Sequence, residues 1–340
     1  MRADEQQRMT DWLAGKTGQS VRIADVRALS GGAIQENWAA DIYLDNECVE
    51  AVIRCDAASS VSDSLSRAQE FSLLKAAFAS GVTVPGPLWL GDASVLGREF
   101  FIMRRAMGTA AGHRLVRDAA LAADRPGLTR QLGRELARIH SIVPPRGDLE
   151  FLRMPEQHPA LEFIEESRHF LDQYHSAFPA LEWGLNWLQD NLPSEEPLCL
   201  VHRDFRTGNY MVDGAGLTAV LDWEFTAWSQ PLEDLGWLCA RCWRFGQSGD
   251  QYAVGGIGSR DDLFAGYEEV SGRRPSVEQV YYWEVFAHLR WAMIAIKQAE
   301  RHLSGAEPSL ELALTAHIVP ELELHILRMT GCDGPAGNEE

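Results

Sequence analysis

Asp204, Asn209 and Asp222 are the residues whose types and spacing point most directly to chemistry. Asp204 stands five residues before Asn209, and Asn209 stands thirteen before Asp222. Each borders a short apolar run: Leu198 to Val201 ahead of the first, Tyr210 to Val212 behind the second, Leu217 to Leu221 ahead of the third. Runs this short and apolar read as buried strands. Asp213-Gly-Ala-Gly216, between the last two, reads as a tight hairpin turn. A loop then carries Asp204 and Asn209, and the hairpin returns the chain so that Asp222 emerges beside them. Two carboxylates and an amide supply oxygen ligands, the set a hard cation such as Mg²⁺ takes while sharing substrate phosphates. A turn-forming role accounts for any one of these residues; it accounts poorly for three at this spacing.

The same stretch resembles a kinase. His202-Arg203-Asp204, then Asn209, then Asp222-Trp223-Glu224 follow the pattern of a catalytic loop and a strand-borne metal-binding Asp. Only eleven residues lie between Asp222 and Asp234 in Pro231-Leu-Glu-Asp-Leu-Gly-Trp-Leu238, which leaves no room for a peptide-holding activation segment. The chain therefore resembles the small-molecule branch of the kinase fold, the aminoglycoside phosphotransferase and choline kinase-like family. Within it, the chain looks most like bacterial phosphotransferases similar to the domain fused to some acyl-CoA dehydrogenases. The likeness runs from about Leu29 to Leu303 and is strongest from Leu200 to Trp243. It departs in two places: Ser229-Gln230-Pro231 stands where Gly-Asp-Pro is common, and Arg54 stands where kinases carry a lysine.

The resemblance implies an α+β, protein-kinase-like bilobal fold. Residues 1–107 form a small N-lobe with an antiparallel β-sheet, and residues 108–340 a larger, mostly helical C-lobe with the catalytic loop at 200–224 and acceptor-binding helices. The implied activity is ATP- and Mg²⁺-dependent transfer of the γ-phosphoryl group to a hydroxyl of a small molecule, such as a hydroxylated acyl or amino-sugar compound. Asp204 would orient or deprotonate the acceptor, and Asn209 and Asp222 would hold Mg²⁺. Glu224 reads as a second metal or acceptor ligand, or as packing. Arg206 reads as a grip on an anionic acceptor, or as a solvated cation; Arg203 flanks Asp204 on the other side. His202 and Asp234 read as braces of the catalytic loop. Upstream, Gly31 and Gly32 would let backbone N–H groups approach phosphates. Arg54, paired with Glu70, would clamp phosphate oxygens. The backbone of Met103, Arg104, Arg105 and Ala106 would meet adenine. GTP in place of ATP is left open, as are the acceptor and the oligomeric state. Two rival readings stand beside this one. A pseudokinase, a nucleotide-binding or scaffolding module without transfer, draws on the Arg54 replacement. A hydrolase using the same carboxylates leaves Gly31, Gly32, Arg54 and Glu70 unexplained.

These residues need a scaffold, and the sequence supplies one. Residues 4–15 read as a helix. Strands follow at Val21–Leu29, Trp38–Leu44 and Cys48–Cys55, then a helix at Ser62–Ala79 and strands at Leu88–Gly91 and Glu99–Arg104. Helices are expected at Leu128–Ile142, in two pieces between Pro155 and Leu192, and at Leu232–Phe245, Arg260–Val270, Val277–Leu303 and Leu310–Met329. The acidic residues Glu162, Glu165, Glu166 and Asp172 read as pocket lining or as a solvated helix face. Gly246–Gly258 reads as a mobile glycine-rich loop, and residues 330–340 as a frayed tail. Cys239 and Cys242 have CxxC spacing but read as core thiols.

Bulk properties narrow the classes. A chain of 340 residues with 46% hydrophobic and 24% charged residues has room for a large core. A net charge of −18 argues against nucleic-acid binding. No apolar run reaches the roughly 18 residues of a membrane span. The polar start Met1-Arg-Ala-Asp-Glu lacks the apolar core of a secretory signal, and six scattered cysteines fit a cytoplasmic protein.

Overall fold

The structure, a computed structural model, describes residues 1–29, 35–56, 65–118, 120–174 and 176–331. It begins with helix α1 (Ala3–Thr17) and strands β1 (Val21–Ala28), β2 (Gln35–Leu44) and β3 (Glu47–Asp56). Helix α2 (Arg67–Ala79) follows, then β4 (Pro87–Gly91), the single turn α3 (Ala93–Leu96) and β5 (Phe100–Arg104). The five strands form one antiparallel sheet in the order β1-β2-β3-β5-β4. Side chains alternate across it. Phe100 and Ile102 face Met9 and Leu13 of α1, while Phe101 between them packs with Phe71 and Leu74 of α2. A capping box fixes the start of α2: Ser66 accepts from the Gln69 N–H, and the Gln69 side chain returns to the Ser66 N–H.

The rest is mostly helical: α4 (Gly112–Arg117), α5 (Arg125–His140), α6 (Pro159–Leu171) and α7 (Pro179–Asp190), then α8 (Leu232–Cys239), α9 (Arg260–Ser271), α10 (Val277–Leu303), α11 (Leu310–Thr315) and α12 (Val319–Met329). Between α7 and α8 lie four short strands, β6 (Cys199–Val201), β7 (Tyr210–Asp213), β8 (Gly216–Val220) and β9 (Ala227–Ser229). β6 pairs with β9 and β7 with β8. The β7–β8 hairpin is stitched to the chain leaving the sheet. Thr109 and Val212 exchange backbone hydrogen bonds of 2.9 and 3.0 Å, and the Val220 N–H donates to the Thr83 carbonyl at 2.7 Å. Gly108 makes this approach possible: its φ is +105°, and a Cβ there would lie 2.3 Å from the Val212 oxygen. Among the described residues no helix is long and apolar enough to cross a membrane.

Several expectations need correction. The helix expected to run to Phe245 stops at Cys239, because Ala240 is extended (ψ 139°) and a single 3₁₀ turn, Arg241–Trp243, follows. The Arg244 guanidinium takes the Cys239 carbonyl at 3.0 and 3.3 Å, satisfying a helix-end acceptor. The segment expected as Leu310–Met329 is two helices joined by a 3₁₀ turn, with Pro320 in the first turn of α12, where its missing N–H costs nothing. Gly246–Gly258 is not an open loop throughout, since residues 253–258 are buried. Gly31 and Gly32 lie outside the described residues, as do residues 62–64 of the expected second helix and 332–340 of the tail.

Candidate active site

The stretch from His202 to Asp222 is shaped by two residues in the left-handed region, Arg203 (φ +63°) and Asp222 (φ +59°). Each costs of order 1 kcal/mol, and such strain persists only where surroundings over-determine it. For Arg203 the surroundings are the Asp234 carboxylate. It accepts from the backbone N–H of His202 at 2.7 Å and of Arg203 at 2.7 Å, and its Oδ2 lies 3.2 Å from His140 Nε2. Burial works to raise the Asp234 carboxyl, but the His140 hydrogen bond and charge, with the His202 N–H, hold it below the usual carboxylate range. Arg203 is further tied by its Nε to Glu233 at 2.9 Å, and its carbonyl accepts from the Arg290 guanidinium.

His202 is fully buried. Its Nε2 lies 2.8 Å from the Leu221 carbonyl, and its Nδ1 accepts from the Asp204 N–H at 3.3 Å. That pattern places the ring proton on Nε2 and clamps the residues before Asp204 and Asp222 together. The hairpin adds a second clamp, since the Leu221 N–H donates to the Asn209 carbonyl at 2.8 Å. The strand expected from the sequence therefore delivers Asp222 beside Asn209.

Asp204 is held from three sides. Trp237 Nε1 donates to its Oδ1 at 3.0 Å, Arg206 Nε donates to the same oxygen at 3.1 Å, and the Asn209 amide donates to its Oδ2 and, at 3.0 Å, to its carbonyl. With its N–H groups so used, Asn209 has its amide oxygen left as a ligand atom. On the sheet side Arg54 is 7% exposed and forks between two carboxylates. Its Nε is 2.8 Å from Glu70, and its Nη2 is 3.0 Å from Asp222 Oδ1. Burial opposes the Arg54 charge, but Glu70 and Asp222 outweigh it and hold its pKa above the usual value. Glu70 also pairs with Arg67, which reaches Asp56 at 2.9 Å. Burial, and then the charge of Asp222, push the Glu224 carboxyl up to about 7.

The other sequence candidates sort as follows. The Arg104 and Arg105 N–H groups donate to the carbonyls of Gly86 (2.8 Å) and Glu50 (2.9 Å), so these two donors are already used. Met103 lies in β5 opposite Val52, with Ala106 just past the strand. Glu162 pairs with Arg153 at 2.6 Å, Gln157 donates to Glu165 at 2.7 Å, and Asp172 is exposed, which describes a surface rather than a pocket. Burial pushes the Cys239 thiol up to about 12 and the Cys242 thiol up as well, so neither offers a ready thiolate. Among the described residues no three His, Cys, Asp or Glu side chains gather as a metal cage. Asn209 and Asp222 fit Mg²⁺ in another way, because that ion needs only one or two protein oxygens beside water and phosphate.

Sequence reasoning missed four residues here, Arg290 on the Arg203 carbonyl among them. Trp237 and Arg67 hold Asp204 and Glu70 directly. His140 is buried, with Nδ1 3.0 Å from the Tyr267 hydroxyl and Nε2 3.2 Å from Asp234, which it supports. A signal existed for Arg67, three residues ahead of Glu70 on one helix face; nothing in the spacing signalled Trp237.

Comparison with known proteins identifies the family and the fold. The family model described as "Phosphotransferase enzyme family" (APH) matches residues 25–272. The chain is 28% identical over 273 residues to acyl-CoA dehydrogenase family member 11 of Mus musculus, covering 75% of this chain and 34% of that protein. It thus spans about a third of the length of the curated relatives it matches. A crystal structure of a Ralstonia eutropha JMP134 protein described as an aminoglycoside phosphotransferase superposes with TM-score 0.74 at 19% identity, covering 95% of this chain and 97% of that one. A thermostable mutant of aminoglycoside phosphotransferase APH(4)-Ia, in ternary complex with AMP-PNP and hygromycin B, superposes with TM-score 0.62 at 17% identity, covering 97% and 99%. The fold is the kinase-like fold of these structures, a five-stranded antiparallel sheet followed by a mostly helical region.

Proposed function

The chain belongs to the phosphotransferase enzyme family, and from that premise we propose that it transfers the γ-phosphoryl group of ATP to a hydroxyl of a small molecule. The observation that supports this best is the convergence of two linked sets of residues. Glu70, Arg54 and Asp222 form one connected series, and Asn209, Asp204, Arg206 and Trp237 another, with the Leu221–Asn209 hydrogen bond joining them. Phosphoryl transfer calls for positioning and charge neutralisation rather than covalent catalysis, and these residues offer both.

Asp204 orients the acceptor hydroxyl and takes its proton. Its carboxylate is fixed by Trp237 and Arg206 on one oxygen and Asn209 on the other. Arg54 presents a permanent cation to phosphate oxygens beside Asp222. Asn209 and Asp222 would hold Mg²⁺, which would supply charge neutralisation to the phosphates. His202 and Asp234 keep the loop in shape. Residues 1–107 carry the nucleotide-facing sheet and residues 108–340 the acceptor side. The acceptor is a hydroxylated acyl compound or an amino sugar, the latter on the analogy of the hygromycin B complex.

Calorimetric titration of ATP with and without Mg²⁺ tests this, on the native chain and on Asp222→Asn. Binding that requires Mg²⁺ and weakens at least about tenfold in the variant is the expected result. A native chain that binds neither ATP nor GTP would make the fold a scaffold without transfer.

A further inference from the structure

Phosphoryl transfer makes no use of a groove of about 480 Å³ between α2 and β4. One wall is Phe71, Lys75 and Phe78 of α2. They stand at i, i+4 and i+7, a single stripe of the helix. The other wall is residues 87–90 of β4, and Lys16, near the end of α1, joins the lining. The charge of this lining is unusual for the chain. The sequence holds three lysines, Lys16, Lys75 and Lys297, and two of them line this one groove. Both are exposed, and neither forms an ion pair among the described residues. The carboxylates that feel their charge have other partners. Asp92, beside Lys16, accepts from the Ser94 N–H at 2.8 Å, and Asp148, beside Lys75, accepts from Arg146 at 2.8 and 2.9 Å.

The strand wall is the second observation. β4 is the last strand of the sheet, so one of its sides has no strand partner among the described residues. Pro87, Leu88, Trp89 and Leu90 are all half-buried, where a strand packed on one face alternates. Phe78, across the groove, is 56% exposed. Lys16 Nζ donates to the Leu90 carbonyl at 3.2 Å, which sets one ammonium at the end of the strand. An edge strand with free backbone groups and apolar side chains on view takes up extended peptide as an added strand. The two lysines then choose the charge of that peptide, matching acidic side chains and repelling basic ones.

We infer that this groove docks an extended, acidic peptide segment of a partner protein. An apolar side chain of the segment sits between Phe78 and Trp89, and its carboxylates face Lys16 and Lys75. The wall residue Phe71 follows Glu70, the partner of Arg54 at 2.8 Å, so the docked segment lies against the helix that holds the Arg54 fork. Docking itself does not depend on phosphoryl transfer and is measured without nucleotide.

The probe is a rhodamine-labelled peptide, Asp-Glu-Phe-Asp-Leu-Glu-Asp, titrated into the full chain with fluorescence anisotropy as the readout. Saturable binding is expected. It should weaken about tenfold or more in the double variant Lys16→Glu, Lys75→Glu, and likewise in Phe78→Ser. These three side chains are exposed, and an unshifted melting temperature verifies that each variant is folded. Two control peptides separate the halves of the recognition: one carries alanine in place of its phenylalanine and leucine, the other asparagine and glutamine in place of its acids. Each should bind about tenfold more weakly or worse. No saturable binding, binding that the groove variants leave unchanged, or equal binding of the uncharged peptide would overturn the assignment. So would a dimer of the chain in sedimentation velocity that Lys75→Glu dissociates, because the groove would then belong to a second copy.

Discussion

Asp204 has three hydrogen-bond donors aimed at its carboxylate, from Trp237, Arg206 and Asn209. Such a carboxylate is fixed in direction before any acceptor arrives. Asp204→Asn keeps the shape but removes the proton acceptor, so kcat should fall by about 10²–10⁴ while calorimetric ATP affinity stays near that of the native chain. A parallel loss of affinity would mean that Asp204 belongs to the nucleotide site. Arg54 makes a different demand, because its fork spans Glu70 and Asp222 at once. Lysine has one donor head and cannot reproduce that span. Arg54→Lys should weaken Mg²⁺–ATP binding by about tenfold, roughly 1.4 kcal/mol, with little change in melting temperature, since Glu70 keeps Arg67. Asp204, Asn209 and Asp222 were legible as residue types at fixed chain spacings, and Arg54 and Glu70 through the resemblance to the kinase strand and helix. Trp237 and Arg290 were not, because a side chain that reaches the loop from another helix leaves no spacing rule behind.

At the scale of elements, the strands and most helices announced themselves through periodicity, and the failures came at helix ends. The boundary of α8 depends on Arg244 returning to the Cys239 carbonyl, a tertiary contact that no local propensity encodes. Helix α8 matters because it carries Glu233, Asp234 and Trp237 to the loop, and its seat on α10 is set by one glycine. A Cβ on Gly236 would lie 2.3 Å from the Cβ of Trp283. Gly236→Ala must push the helices apart, at a cost of about 1–3 kcal/mol. The contrast is Gly15 in α1, where an added Cβ meets nothing within 4 Å. Gly15→Ala should stabilise by about 0.5–1 kcal/mol through helix propensity alone. Thermal melts of the pair should therefore move in opposite directions. A Gly236→Ala protein as stable as the native chain would show that the helix contact is looser than drawn.

For the whole molecule, the sheet and its helical partner region were readable from chain order, yet the polar groups sealed inside were not, and these set the response to acid. His288 on α10 is fully buried, with Nδ1 against the Glu284 carbonyl. Burial pushes its pKa down to about 4, the Glu284 hydrogen bond works against that, and the charges of His325, Arg244 and Arg241 add to the fall. The sign follows from proton uptake. Above pH 6.5, the ordinary histidine value, His288 is neutral whether the chain is folded or not. Below it the unfolded chain gains a proton that the folded one refuses until about pH 4, so stability falls through that window. The loss is at most roughly 3 kcal/mol. Asp234 acts in the same direction at lower pH: its depressed carboxyl stabilises the fold above the ordinary carboxylate value of 3.8 and loses that contribution as pH falls further. The two limbs can be separated. His288→Gln keeps a donor for the Glu284 carbonyl but never charges, so between pH 7 and pH 4.5 urea unfolding of the variant should escape the His288 loss and hold or gain stability as Glu224, raised to about 7, takes up a proton in the fold, while the drop below pH 4 persists. An unaltered upper limb in that variant would transfer the acid response to other histidines, with His325, whose ring lies 5.7 Å from that of His288, the next to replace.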